Sequence, residues 1–100
     1  PARPNHMAVV DSGRPGRSLM LCGHSDTVGV EGMDAPFDPK ERDGRLYGRG
    51  SQDMKGGVAS ILGAARTIAE KKLLKGGKVV VAIVADEEYA SIGAEALVKN

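Results

Sequence analysis

Residues 55–72 constrain the fold most strongly, because they carry the pattern of an amphipathic helix between two apolar strand candidates. Apolar side chains recur there at i, i+3, i+4, i+7 and i+10, the spacing of one helix face: Val58, Ile61, Leu62, Ala65 and Ile68. An apolar run at residues 19–22 precedes the helix, and a β-branched run at residues 79–85 follows it. Strand, helix and strand in this order predict a right-handed βαβ unit with parallel strands, and so an α/β fold.

The remaining elements are shorter. Residues 6–10 form another strand candidate, and the turn-forming segment that follows predicts that it pairs antiparallel with residues 19–22 at a sheet edge. Residues 27–45 have no sustained apolar period and predict a long loop of the kind that is often functional. Leu46 and Tyr47 predict a short strand after it, and the apolar residues from Ile92 onward predict a second helix.

Composition and charge exclude several classes of protein. Of the 100 residues, 41% are hydrophobic and 27% charged, as in an ordinary globular domain. The net charge of +1 gives no electrostatic reason to expect a nucleic-acid or membrane partner. No apolar stretch approaches the roughly 20 residues of a membrane span. The single cysteine, Cys22, excludes an internal disulfide bond and favours a reducing, cytoplasmic setting.

Both ends of the sequence suggest a part of a longer chain. It begins at Pro1 without Met, and it ends at Asn100 directly after an apolar pattern, without a closing element. We therefore expect residues 1–100 to be a fragment of a domain, with only a marginal core of their own.

Acidic and imidazole side chains occur where strand candidates end or where the helix begins. His24 and Asp26 follow the first strand of the βαβ unit, and Asp53 precedes the helix. Residues 86–88, with the sequence Asp-Glu-Glu, follow the second strand. In an open α/β sheet, ligands bind outside the carboxyl ends of the strands. The shared location predicts a single metal-type site.

His24 and Asp26 have two interpretations. An imidazole that ligates a metal needs an acceptor at its other ring nitrogen, and a carboxylate two residues further on can supply one if it folds back. The alternative is a solvated histidine beside a turn aspartate. Because the apolar Val28 follows closely, Asp26 is not simply part of a polar turn.

Asp53 has the position of a helix cap, which is its ordinary interpretation. Four glycines surround it, more than a cap requires: Gly48, Gly50, Gly56 and Gly57. Glycines permit close approach of backbones and positive φ, so they fit a tight entry to a crowded site. The stretch is not a phosphate loop, because neither Gly-x-Gly-x-x-Gly nor Gly-Lys-Ser/Thr occurs in the sequence.

The acids at residues 86–88 also have two interpretations. They can form a solvated loop at the start of the next helix, where acidic residues suit the helix dipole. Adjacent acids at the end of a buried strand are otherwise costly unless they are paired, protonated or bound to a metal. In that case one glutamate can ligate the cation while its neighbour takes a proton from a metal-activated water.

Three further residues are weaker candidates. Cys22 has the strand parity of His24 but lies about 7 Å back along the strand at about 3.3 Å per residue, so a small buried apolar role is expected. His6 is expected to be a surface histidine. Arg49 pairs with one of the site acids or stays solvated, and the sequence leaves both alternatives open.

Three stretches together resemble the catalytic domain of the M20 metallopeptidase family. They are residues 23–28 (GHSDTV), residues 46–57 (LYGRGSQDMKGG) and residues 85–88 (ADEE), and the resemblance covers residues 19–98. The middle stretch is most similar to the branch of acetylornithine deacetylases and succinyl-diaminopimelate desuccinylases. The resemblance implies a three-layer αβα fold of the zinc-peptidase type, with a mixed, mostly parallel sheet.

The resemblance also implies roles for individual residues. As metal ligands, His24 would bind one zinc ion, Asp53 would bridge two, and Glu88 would bind the second; Co²⁺ and Mn²⁺ would suit the same ligands. As catalytic residues, Glu87 would be the general base and acid, and Asp26 would orient His24. The peptide bond after the bridging aspartate is cis in related enzymes, so the bond after Asp53 is expected to be cis.

The implied function is hydrolysis of the amide bond of an N-acyl amino acid or small peptide. The resemblance also implies that the full protein forms a homodimer. The family needs a further acidic ligand and a second histidine, but no histidine follows His24 and only Glu95 follows the Glu pair. The lid and dimerisation domain is missing as well. We therefore expect residues 1–100 alone to be inactive or nearly so. The alternative is a non-catalytic α/β binding or interaction module that keeps the fold.

Overall fold

The computed structural model describes residues 3–99. The strands and helices, in chain order, are β1 (His6–Asp11), β2 (Ser18–His24), β3 (Lys40–Arg42), β4 (Arg45–Tyr47), α1 (Gly56–Glu70), β5 (Lys78–Val84) and α2 (Ile92–Lys99). The predicted helix at 55–72 and strand at 79–85 are therefore confirmed to within two residues at each end. The second helix begins at Ile92 as expected.

The main sheet has the strand order β1-β5-β2, with β5 in the centre. β5 is parallel to β2, with Val81 opposite Leu21, and antiparallel to β1, with Val81 opposite Ala8. The parallel pairing in the βαβ unit is thus confirmed, and the sheet is mixed. The predicted pairing of β1 with β2 is wrong, because β5 lies between them. The side chains of β5 are apolar on both faces of the sheet, and the central position buries both faces.

The core lies between β5 and α1. Val81 and Ile83 of β5 and Ala65 of α1 are buried together, and Val58 and Ile61 of α1 pack against them. These residues include three of the apolar positions that predicted the helix face. Each buried valine or isoleucine contributes about 1.5–3 kcal/mol, so this contact holds the helix against the sheet.

A second, two-stranded sheet lies within the segment that was predicted to be a loop. β3 and β4 pair antiparallel, with Arg42 opposite Arg45. The two residues between them, Asp43 and Gly44, both have positive φ, at 54° and 70°. Two such residues form the tight turn that matches the twist of a hairpin. The loop prediction is therefore wrong at residues 40–42 and at residue 45, while the short strand at Leu46–Tyr47 is confirmed as part of β4.

On the sheet face opposite the α1 core, the outer strands β1 and β2 expose apolar side chains, whereas β5 is largely buried there. By the strand register, Met7, Val9, Met20 and Cys22 share this face, and all four are exposed. The prediction that Cys22 is a buried apolar residue is therefore wrong for this chain, while His6 is exposed as expected. The structure shows a mixed α/β arrangement, and a third layer stays a prediction.

Candidate metal centre

His24 lies at the carboxyl end of β2, and only 5% of its surface is exposed. Its Nδ1 is 3.0 Å from the backbone carbonyl of Asp26. Its Nε2 is 3.0 Å from Oδ1 of Asp53 and 3.7 Å from Oε2 of Glu87. Its backbone N–H donates to Sδ of Met54 at 3.3 Å. The imidazole is therefore held at both ring nitrogens, with Nε2 directed at two carboxylates.

The surroundings of His24 favour its protonated form. Burial alone lowers the pKa of His24, but the hydrogen bond to Asp53 and the one to the Asp26 carbonyl raise it, and so do the charges of Glu87 and Asp26. The net result is a pKa above the usual value. Since both ring nitrogens face acceptors, a proton on each satisfies the contacts. A cation at Nε2 would take the place of one of these protons.

Asp53 lies in a wide turn, Ser51–Lys55, directly before α1. Its backbone and that of Met54 are not helical, and the Asp53–Met54 peptide bond is cis, as the family resemblance implied. The Asp53 side chain binds His24 and makes no capping hydrogen bond to α1, so the interpretation as a helix cap is not supported. Gly50 begins this turn with φ 78°, and a Cβ there would lie 2.7 Å from Thr27.

Glu87 and Glu88 follow β5 and are anchored through Asp26. The two carboxylate oxygens of Asp26 accept the backbone N–H groups of Glu87 at 3.1 Å and Glu88 at 3.0 Å. Partial burial raises the pKa of Asp26, but the hydrogen bonds from the N–H groups of Glu88, Glu87 and Asp26 itself, with the charge of His24, lower it by more, so the net pKa is below the usual value. The ring of His24 is bound mainly by the carbonyl of Asp26, while the nearer carboxylate oxygen is 3.7 Å from Nδ1.

Three of the predicted site residues come together at one point. One ligand atom each of His24, Asp53 and Glu88 lie within 4.8 Å of one another. Imidazole and carboxylate groups are ligands of Zn²⁺, Co²⁺ and Mn²⁺. The Asp26 carbonyl at Nδ1 is the outer partner that a metal-ligating histidine usually has. The residues present therefore fit a divalent metal ion.

Asp86, the first acid of the Asp-Glu-Glu stretch, is separate from this cluster. It is buried and forms an ion pair with Arg3, and its backbone has a positive φ of 63°. The sequence pattern treated the three acids alike, whereas the structure divides them. Asp86 fixes the loop against the N-terminal segment, and Glu87 and Glu88 face the site.

Two contacts at the site were not predicted from the sequence. Lys55 donates from Nζ to the backbone carbonyl of Ser25 at 3.0 Å, and Met54 accepts the His24 N–H. Both residues belong to the turn that carries Asp53. They tie that turn to the end of β2. No local signal indicated these partners, because the two segments are about 30 residues apart in sequence.

A cleft of about 800 Å³ opens beside the cluster. Asp53 and Glu88 lie on its wall, together with Arg45 of β4, Arg49 and Gln52. Nε of Arg49 is buried and has no hydrogen-bond partner among residues 3–99. Arg49 thus forms no ion pair with a site acid in the described residues, and the cleft is large enough for a small organic molecule.

Comparison with known proteins supports the resemblance. A family model described as Peptidase family M20/M25/M40 matches residues 20–100. The chain belongs to this family. It is 46% identical over 92 residues to succinyl-diaminopimelate desuccinylase of Gluconacetobacter diazotrophicus, covering 88% of this chain and 23% of that protein. It is 40% identical over 99 residues to acetylornithine deacetylase of Proteus mirabilis, covering 96% of this chain and 24% of that protein.

The chain thus spans about a quarter of the length of the curated M20 relatives it matches. A probable succinyl-diaminopimelate desuccinylase of Staphylococcus aureus gives the same proportion, with 37% identity over 99 residues and 24% of its length covered. In the described part of this M20 chain, no helix is long and apolar enough to cross a membrane.

Proposed function

We propose that this chain is the N-terminal part of the catalytic domain of a longer M20 metallohydrolase. The full protein would cleave the amide bond of an N-acyl amino acid or small peptide. The observation that carries this proposal is the convergence of His24, Asp53 and Glu88 within 4.8 Å. The relatives named as a desuccinylase and a deacetylase support the reaction class.

In the complete protein, His24 and Asp53 would hold one metal ion, and Asp53 and Glu88 would hold a second. Zinc is the metal we propose, and Co²⁺ or Mn²⁺ are the alternatives that the same donors accept. Such an ion would supply Lewis-acid chemistry, polarising the amide carbonyl and lowering the pKa of a bound water towards about 7. The ligands still missing would come from the rest of the full protein, whose other parts would also provide a lid and a dimer contact.

Glu87 is the proposed general base and acid. Its Oε2 lies 3.7 Å from Nε2 of His24, so it reaches the same space as the three ligands without belonging to their cluster. It is half-exposed on the side open to solvent, where a water can approach. The Glu87 carboxylate would take a proton from that water as it attacks the carbonyl carbon, and would deliver the proton to the leaving amine nitrogen.

Asp26 acts in this proposal as a positioning residue. Its carbonyl orients the His24 ring, and its carboxylate fixes the backbone of Glu87 and Glu88. One residue thus sets the relative positions of a ligand from β2 and two side chains that follow β5. Glu87 and Glu88 are adjacent in sequence, so this anchoring lets one contribute a ligand and the other a base.

The test uses the full-length protein with Glu87→Gln, Asp53→Asn and the surface control Glu70→Gln. Glu70 lies on α1 and pairs with Arg66 outside the site. We expect Glu87→Gln to keep its metal, measured by elemental analysis, while turnover of N-acyl amino acids falls about 10²- to 10⁴-fold. Asp53→Asn should lose both metal and activity, and Glu70→Gln should retain both.

Two results would contradict the proposal. Full activity in Glu87→Gln would remove the general base from the mechanism. A wild-type protein that binds no divalent metal would leave the non-catalytic binding module as the better interpretation of the fold.

A further inference from the structure

The cleft beside the metal cluster has opposite charges along its wall. Asp53 and Glu88 are the acidic groups, and both belong to the ligand cluster. Arg45 and Arg49 are the basic groups. Once the two carboxylates bind a cation, the guanidinium groups are the remaining charges, and the cleft becomes positive. Such a cleft favours a substrate that carries a negative charge.

The two arginines have no carboxylate partner among residues 3–99. Three other arginines form such pairs, Arg3 with Asp86, Arg42 with Asp43 and Arg66 with Glu70, whereas the exposed Arg14 and Arg17 form none in the described residues. Arg49 is the more unusual case, because its Nε is buried and makes no hydrogen bond within the described residues. Buried polar groups are nearly always paired in folded proteins, so this donor calls for an acceptor.

The backbone at Arg49 is well fixed. Its N–H donates to the carbonyl of Pro36 at 2.8 Å, and Gly50, directly after it, begins the turn that carries Asp53. Arg49 is therefore only four residues from a ligand and connected to it by ordered backbone. The guanidinium of an arginine at this position can receive a carboxylate through two parallel hydrogen bonds.

We propose that Arg49, assisted by Arg45, binds a carboxylate of the substrate in this cleft. This inference rests on the proposed function and assigns the residues of this chain that recognise the carboxylate of an N-acyl amino acid. In such molecules a carboxylate lies one carbon from the amide nitrogen, and a dicarboxylic acyl group adds another at the far end. The arginines hold the carboxylate while the amide carbonyl lies at the ligand cluster.

The experiment compares paired substrates in the full-length protein. The substrates are N-acetylornithine, N-succinyl-diaminopimelate and analogues in which one carboxylate at a time is replaced by a carboxamide. The variants are Arg49→Met, Arg49→Lys and Arg45→Met, with Arg66→Met as the matched control on the exposed side of α1. Arg45 is exposed, so its replacement tests the site without disturbing buried structure.

We expect Arg49→Met to lower kcat/KM for the carboxylate substrate about 10- to 100-fold, mainly through KM. For the analogue that lacks the recognised carboxylate, the same variant should change kcat/KM less than about 3-fold. The analogue that behaves in this way shows whether the recognised carboxylate belongs to the amino acid or to the acyl group. Arg49→Lys should recover part of the loss, and Arg45→Met should show a smaller loss. Arg66→Met should behave as wild type.

An equal loss for carboxylate and carboxamide substrates, or a loss of bound metal in Arg49→Met, would overturn the proposal and make Arg49 structural. The proposal would also be overturned if Arg49→Met and Arg45→Met both discriminate between carboxylate and carboxamide substrates as strongly as the wild type does. Calorimetric binding to Glu87→Gln, with and without Arg49→Met, separates this test from turnover. A failure of the proposed catalysis therefore still leaves a measured Kd that decides the role of Arg49.

Discussion

The carboxylate of Asp26 accepts the backbone N–H of Glu88, with 3.0 Å between Oδ2 and N. This bond crosses 62 residues of sequence and joins the end of β2 to the loop after β5. Its partner bond to the N–H of Glu87 uses the other carboxylate oxygen, at 3.1 Å. The position of both glutamates therefore depends on a side chain that does not belong to the ligand cluster itself.

The first prediction concerns Asp26→Ala in the full-length protein. It leaves two backbone N–H groups without their acceptor, so Glu88 loses its fixed position relative to His24. We expect metal affinity to fall about 10- to 100-fold, as is typical when an outer partner of a metal site is removed. The measurement is a competitive titration of the metal-free protein with a chromophoric chelator.

Asp38→Ala is the matched control for this variant, because Asp38 is an exposed aspartate that pairs only with Lys40 in the described residues. Its metal affinity should equal that of the wild type. If Asp26→Ala also binds metal as tightly as the wild type, the bonds to the glutamate backbone do not position the ligands.

The elements that were predictable from the sequence are those with a complete local pattern. α1 shows one apolar face over 15 residues, and β5 is an apolar run rich in β-branched residues. The place of β1 was not predictable in this way, since a short apolar strand pairs equally well with either neighbour until the sheet assembles. The β3–β4 hairpin has a local signal in the sequence, because Asp43-Gly44 is a strong turn dipeptide.

The candidate site follows the same division. Residue type at the strand ends and the family motifs predict three ligands, and the structure brings them together: His24, Asp53 and Glu88. The way they are held was not predictable. The Asp26 carboxylate binds the backbone of the glutamates, while the Asp26 carbonyl binds the His24 ring. This arrangement forms only when the loop after β2 and the loop after β5 come together in the folded protein.

The second prediction compares two glycine-to-alanine changes. A Cβ at Gly93, in the first turn of α2, would lie 2.5 Å from the carbonyl oxygen of Ala85 and 2.6 Å from Oδ1 of Asn5. α2 would have to move away from the end of β5, so Gly93→Ala should destabilise by about 1–3 kcal/mol. A Cβ at Gly63, in α1, meets nothing within 4 Å. Gly63→Ala should stabilise by about 0.4–1 kcal/mol.

Urea unfolding of the two variants beside wild type measures this difference as opposite shifts of the midpoint. Equal shifts in the same direction would show that α2 does not dock closely through Gly93.

The last prediction concerns pH and the end of β1. The Asp11 carboxylate accepts the N–H of Gly13 at 2.9 Å and pairs with Nζ of Lys78 at 2.9 Å, and these contacts, the hydrogen bond first, lower the pKa of Asp11. A carboxyl group with a lowered folded pKa stabilises the protein above its unfolded pKa, and loses that contribution as the pH falls through the folded pKa. Asp11→Asn should therefore be less stable than wild type at neutral pH, and the two unfolding curves should converge in acid.

In Lys78→Met, the Asp11 carboxylate should retain the stabilisation that comes from the Gly13 N–H. Added salt should weaken only the stabilisation that comes from the ion pair with Lys78. A difference between wild type and Asp11→Asn that stays constant from neutral pH into acid would show that the carboxylate charge contributes nothing.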